Sequence, residues 1–153
     1  MTTIRPATMA DLDGLTALLQ ILFAIEADFA CDEARQRRGL AMLLASDTAC
    51  VLVAEAEGRV VGMVTGQLTI STAEGGFALL VEDVVVADGW RGQGIGRELL
   101  AALAGWAGTQ GIGRLQLLAD RNNGAALEFY RKLGWHSTEL ICQRKRIEPI
   151  APY

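Results

Sequence analysis

Histidine is almost missing from this 153-residue chain. His136 stands alone, so no metal centre can be built from several imidazoles, and no metal site is expected. No serine sits in a G-x-S-x-G turn, which leaves a triad built on His136 without its nucleophile elbow. Cysteine is scarce: Cys31, Cys50 and Cys142 are odd in number and widely spaced. That excludes a disulfide framework and a CxxC metal site, and the three read as small core or surface residues. Positive charge is short as well, with 14 Lys and Arg against 18 Asp and Glu, a net charge of −4. A general nucleic-acid binder needs a basic face, so no nucleic-acid partner is expected and any bound phosphate must be held locally. Long apolar runs are absent. Residues 21–25 and 99–108 are too short to span a bilayer, and residues 1–13 lack the apolar core of a signal peptide. The expectation is a cytoplasmic protein with no membrane partner.

What is present is an ordinary globular composition, 51% hydrophobic and 21% charged, at a length where one domain buries roughly two-thirds of its unfolded surface. With no repeat, linker or low-complexity segment, residues 1–153 are expected to form one domain. Ile4 and Arg5 run into Pro6, and Thr8 precedes Asp11 where a helix N-cap and acidic first turn would sit. Leu12, Leu15, Leu19 and Leu22 follow at helical spacing, and a second helix opens at Asp32 and Glu33. Two β-branched runs, 51–55 and 60–70, flank Ala56-Glu57-Gly58-Arg59, a hairpin signature. A third strand at 79–86 extends them into an antiparallel meander.

After the meander the pattern predicts a helix over 94–108, a strand at 115–119 and a helix over 123–133. A short strand near Trp135 and a closing strand at 139–144 complete it. The order β-α-α-β-β-β-α-β-α-β-β implies an α/β (α+β) fold, a mixed sheet with helices on its faces.

Chemistry concentrates at residues 84–97, where a buried strand passes through a glycine-rich turn into a helix: Val84-Val85-Val86-Ala87-Asp88-Gly89-Trp90-Arg91-Gly92-Gln93-Gly94-Ile95-Gly96-Arg97. Unpaired backbone N–H groups at the positive end of a helix dipole make an anion site. Glycines at 92, 94 and 96 permit close approach of a pyrophosphate, and Arg91 and Arg97 can add charge-assisted contacts. The G-x-G-x-G spacing is not the G-x-G-x-x-G of a dinucleotide fold, although Asp120 follows the next strand where a ribose-binding acid could sit. No Gly-Lys-Ser or Gly-Lys-Thr supplies a nucleotide-triphosphate loop. A bare connection without a ligand would not require an arginine and three glycines in six residues.

Arg91-Gly92-Gln93-Gly94-Ile95-Gly96 resembles the Q/R-x-x-G-x-G/A signature of the GNAT superfamily of acyl-CoA-dependent N-acyltransferases. Asn123-Gly124-Ala125-Ala126-Leu127-Glu128-Phe129-Tyr130-Arg131-Lys132-Leu133-Gly134-Trp135 is similar to a second family pattern, N-x-x-A-x-x-F-Y-x-x-x-G-F/W. The opening Ile4-Arg5-Pro6-Ala7-Thr8 with Asp11-Leu12 also looks like common family N-termini. The resemblance implies a mostly antiparallel sheet with one splayed strand pair that holds acetyl-CoA as co-substrate. It implies that Val84, Val85 and Val86 meet the pantetheine arm by backbone, that Gly92, Gln93, Gly94, Ile95, Gly96 and Arg97 hold the pyrophosphate, and that Tyr130 meets the sulfur. Asn123 would contact the pantetheine or cap its helix.

Acyl transfer to an amine needs a neutral nucleophile, donors for the oxyanion and stabilisation of the departing thiolate. An alkylamine with a pKa of about 10 needs a base at neutral pH, and Glu82 and Asp83 lie just before the expected pantetheine contacts. Strand alternation puts them on opposite faces, so one is expected to face the acceptor, with Glu82 favoured; a bulge would change which. The alternative for Glu82 is a carboxylate that binds the acceptor or pairs with an arginine such as Arg121. A phenol is a weaker acid than a thiol, so the expected role of Tyr130 is a hydrogen bond that strengthens as thiolate charge develops. Its bland alternative is a core aromatic beside Phe129. Cys142 has no basic partner in sequence, which argues against a covalent route.

The expected function is acetyl transfer to a primary amine of a small molecule by direct attack. Alternatives are a peptide acceptor or a silent acyl-CoA-binding domain. Acidic residues in or beside the expected acceptor loops, Glu26, Asp28, Asp32, Glu33 and Glu74, would suit a cationic amine, and a homodimer is expected from the family's habit.

Overall fold

The computed structural model describes residues 1–25 and 31–148. Glu26 and Asp28 lie outside them. The chain divides into two compact units, Met1–Leu117 and Leu118–Tyr153.

The first unit holds a five-stranded sheet in the order β1-β2-β3-β4-β5, formed by β1 (Thr3–Pro6), β2 (Ala49–Ala56), β3 (Arg59–Ser71), β4 (Gly76–Val86) and β5 (Leu115–Leu117). The first three junctions are antiparallel and β4 with β5 is parallel. Helices α1 (Leu12–Ile25) and α2 (Glu33–Ala45) separate β1 from β2, and α3 (Ile95–Thr109) crosses from β4 to β5. This is the mixed α/β sheet read from the sequence. The meander follows from local chemistry: Glu57 and Gly58 both take positive φ, 52° and 72°, the geometry whose twist matches a two-residue hairpin.

Strand alternation sorts the core into two layers. Val51 and Val53 of β2, Met63 of β3 and Val85 of β4 meet Leu15, Leu18, Leu19 and Leu40 from α1 and α2. On the other face α3 buries Ile95, Leu99, Leu100, Leu103 and Ala107. Gly62 lets α3 lie close, because a Cβ there would stand 3.1 Å from Leu99 Cδ1 and 3.2 Å from Ile95 Cγ2. Those contacts are tighter than the normal separation of carbon atoms. The start of α3 is therefore pressed onto β3, the neighbour of the strand that feeds it.

An ion network closes the N-terminal edge. Arg5 donates two parallel hydrogen bonds to Asp11, both 2.8 Å, and a third of 2.6 Å to Glu55 on β2. The Thr8 N–H also donates to Asp11, at 2.8 Å, so this buried carboxylate stops the helix end that the sequence assigned to it. The Arg5 guanidinium holds the Asp11 carboxyl below the usual carboxylate range, against the opposing effect of burial.

In the second unit α4 (Gly124–Lys132) ends in a left-handed residue, Gly134 at φ 93°. Its N–H bonds to the Arg131 carbonyl and the Trp135 N–H to that of Tyr130, each at 3.0 Å, which satisfies the last carbonyls of the helix. The strands expected near Trp135 and over 139–144 are not formed; residues 135–148 carry neither helix nor strand. A strand exists through its ladder partner, and alternation in a sequence cannot supply one. Among the described residues no helix is long and apolar enough to cross a membrane.

Candidate active site

The site grows out of an irregularity in β4. Its register with β3 runs from Met63↔Val85 to Thr65↔Glu82, so Asp83 and Val84 together oppose the single residue Val64. This is a β-bulge, and Asp83 takes the left-handed conformation, φ 54°, an uncommon one for a residue with a side chain. Its side chain reaches back to β3, where the Thr65 hydroxyl lies 3.1 Å from Asp83 Oδ2 and 3.0 Å from the Glu82 carbonyl oxygen. Gln67 Nε2 donates to Glu82 Oε1 at 3.5 Å.

Thr65 and Gln67 are two residues apart and share a face of β3. Glu82 and Asp83 therefore lie on one face of β4, which corrects the opposite-face placement that strict alternation predicts. Glu82 is exposed, Asp83 half-buried and Thr65 fully buried. The two carboxylates stand on the sheet face that carries Met63 and Val85, the α1 and α2 side.

Beyond the bulge β4 loses one neighbour. Its ladder with β5 covers only Leu79, Leu80 and Val81, so from Glu82 onward the far edge has no ladder partner among the described residues. Ladder bonds alternate along a strand. The Ala87 N–H bonds to the Val61 carbonyl at 2.8 Å, which turns the amide groups of Val86 away from β3 and toward the open edge. There the Val86 carbonyl accepts from Arg91 Nε at 3.1 Å. The strand before the turn thus presents an open edge among the described residues, where the resemblance implied a splayed pair.

The turn that follows is held from within. Arg91 also pairs with Asp88 at 3.2 Å, and Gln93 Nε2 donates to the Gly89 carbonyl at 3.3 Å. Two of the sequence-predicted phosphate contacts are accordingly engaged in bracing the loop. Arg97 is exposed and makes no ion pair among the described residues. Gly92 and Gly94 adopt φ 76° and 82°, and a Cβ at either would meet nothing within 4 Å. Their requirement for glycine is conformational, and the space beside them is free for a ligand. Gly94 is the N-cap of α3 and contributes no side-chain cap, so the first N–H groups, at Ile95, Gly96 and Arg97, face that space. These features suit the pyrophosphate of an acyl-CoA.

A cavity of about 530 Å³ opens between α1 and the β2–β3 hairpin, lined by Arg5, Asp11, Gly14, Glu55, Arg59 and Val60 among others. It includes neither carboxylate of β4 nor the glycine turn. Of the acidic residues read as acceptor-facing, Asp32 caps α2 through the Arg35 N–H at 3.1 Å and Glu74 pairs with Arg114 at 3.3 Å. Their charges are used locally. Burial pushes the Cys50 thiol up to about 11, which makes it a poor nucleophile at neutral pH.

The second unit carries the remaining predicted residues. Asn123 Oδ1 accepts from the Ala126 N–H at 3.1 Å, so the capping role is realised. Tyr130 packs edge-on to Phe129, with ring centroids 5.2 Å apart, and against Trp135 at 5.8 Å. Asp120 closes the turn before α4 by accepting from the Asn122 N–H at 2.8 Å, a local job that leaves the ribose-acid reading without support. The residue missed in sequence is Thr65. The only available signal was a hydroxyl in the run Val61-Gly62-Met63-Val64-Thr65-Gly66, where every neighbour is apolar or glycine.

In sequence and in fold the chain is similar to known acetyltransferases. The chain is 36% identical over 74 residues to streptothricin acetyltransferase of Streptomyces lavendulae, an alignment covering 48% of this chain and 39% of that protein. The chain thus spans about two-fifths of the length of this curated relative. A solved putative acetyltransferase from Agrobacterium tumefaciens str. C58 superposes with a TM-score of 0.80 at 26% identity, over 94% of this chain and 99% of that one. AAC(6')-Iy, solved with the bisubstrate analogue CoA-S-monomethyl-acetylneamine, superposes at 0.80 with 20% identity, over 96% and 99% of the two chains, a likeness of fold. The model of the acetyltransferase (GNAT) family matches residues 15–135. An open strand edge, a glycine turn onto an uncapped helix and this match together make the chain a member of the GNAT acetyltransferase family.

Proposed function

We propose that the chain, as one domain over residues 1–153, transfers an acetyl group from acetyl-CoA to a primary amine of a small cationic molecule by direct attack. The observation that carries this reading is the β4 bulge, which sets two carboxylates on one face immediately before a strand edge that has no ladder partner among the described residues. When bound, acetyl-CoA supplies a thioester carbonyl open to attack by a neutral amine. Gly92, Gly94, Ile95, Gly96 and Arg97 would hold its pyrophosphate, with Arg91 and Gln93 keeping the turn in shape. Backbone groups of Val84, Val85 and Val86 would receive the pantetheine arm and provide an oxyanion donor.

An amine with a pKa of about 10 is almost wholly protonated at neutral pH. Glu82, exposed and bonded to Gln67, takes the proton directly or through a water, while Asp83 adds negative charge that attracts the cation. Tyr130 donates a hydrogen bond to sulfur as thiolate charge builds, a role carried over from its motif. The likeness to streptothricin acetyltransferase supports a small-molecule acceptor.

The test is release of free thiol from acetyl-CoA across polyamines, aminoglycosides, streptothricin-type antibiotics, amino acids, amino sugars and N-terminal peptides. Turnover is expected with a cationic small amine. Tight CoA binding with no turnover on any of them would overturn the enzymatic reading, and turnover on peptides alone would overturn the small-molecule one.

A further inference from the structure

Thr65 occupies the middle of β3 with none of its surface exposed, in a buried run, residues 61–66, whose other members are apolar or glycine. Valine has nearly the same shape and would bring no polar atom to bury, so the hydroxyl needs a reason. Its oxygen contacts two successive β4 residues, the main-chain oxygen of Glu82 and the carboxylate of Asp83. Those two atoms bracket the turn of the backbone into positive φ at Asp83. A left-handed conformation at a residue with a side chain persists only where its surroundings hold it.

The consequences of the bulge run in both directions along β4. Upstream it keeps Glu82 on the α1 and α2 face; downstream it returns Val85 to that same face, three residues later instead of an even number. A hydroxyl both donates and accepts, so Thr65 can serve Asp83 whether its carboxyl is ionised or protonated. Valine can do neither.

We propose that Thr65 is a positioning residue for acetyl transfer: its buried hydroxyl locks the β4 bulge and so sets where the Glu82 and Asp83 carboxylates stand for the amine. This rests on the reading of those carboxylates as acceptor-facing. The glycine turn at 92–97 does not depend on it.

Thr65→Val and Thr65→Ser separate the hydroxyl from the packing. For Thr65→Val, kcat with the amine should fall roughly 10- to 100-fold, the scale of a small misplacement of reacting groups. Its affinity for CoA should fall by a much smaller factor than kcat, because the turn at 92–97 still holds the pyrophosphate. Thr65→Ser should recover kcat to within about threefold, although it removes a methyl group from the core. In parallel, amide hydrogen exchange at residues 83–86 should quicken in Thr65→Val and not in Thr65→Ser.

Wild-type kcat and unchanged exchange in Thr65→Val would overturn the proposal. Equal losses in both variants, tracking a shared fall in Tm, would reduce Thr65 to packing and overturn it too. If the wild-type protein acetylates no amine, the functional reading fails by itself, and unchanged exchange in Thr65→Val would then refute the bulge lock separately.

Discussion

Replacing Gly94 by alanine should separate the turn's conformation from its ligand. Gly94 sits at φ 82° with open space where a Cβ would project, so alanine meets no steric contact and the cost is that of a left-handed residue, about 1–2 kcal/mol. For a domain of this size that corresponds to a fall in Tm of roughly 2–8 °C. The added methyl group would also stand in the space in front of the first N–H groups of α3, and CoA affinity should fall at least about tenfold, or about 1.4 kcal/mol. Gly75 provides the control, since it has φ 65° and equally open surroundings at the far end of the β3–β4 hairpin. Gly75→Ala should cost similar stability and leave CoA binding unchanged. Calorimetric titration with CoA and thermal melts of the three proteins read both quantities. Wild-type affinity in Gly94→Ala would refute the pyrophosphate assignment, and equal weakening in Gly75→Ala would show that the loss is global.

Asp11→Asn should destabilise the fold by about 1–3 kcal/mol, because the buried side chain loses its charge-assisted bonds from Arg5 while Arg5, a third exposed, keeps its bond to Glu55; urea melts give the difference. Since the folded Asp11 carboxyl lies below its usual value, its contribution is fully present above the unfolded pKa of about 4 and is lost as pH falls through the folded one. The variant's stability should therefore fall less than the wild type's on acidification, and parallel curves would count against the linkage. Tyr130→Phe keeps the ring contacts with Phe129 and Trp135 and should lower kcat at least about tenfold with acetyl-CoA affinity unchanged; equal kcat would remove the tyrosine from the chemistry. Glu82→Gln should depress kcat/KM for the amine at neutral pH and recover as pH rises toward the amine pKa of about 10. A loss independent of pH would make Glu82 an acceptor contact instead of a base.

Features of the site were legible where the chemistry is local. Glycines at 92 and 94 suit the positive φ that the turn adopts, and Asn123 needs only the next three residues to cap α4. The hairpin at Glu57 and Gly58 belongs to the same class. Arg5 and Asp11 were read as the signature of a strand followed by a helix, yet the Glu55 that completes their network lies 50 residues away, beyond what spacing can report.

The amino-acid sequence by itself determined the order of strands and helices through Lys132, the glycine turn and the two caps, because each depends on neighbours within one turn of chain. Tertiary structure alone decided that Glu82 and Asp83 share a face. That outcome depends on β3, a different strand, opposing two β4 residues with the single Val64, and a ladder register is a property of two strands together. The same physics leaves the two expected C-terminal strands unformed, since among the described residues 135–148 join no ladder.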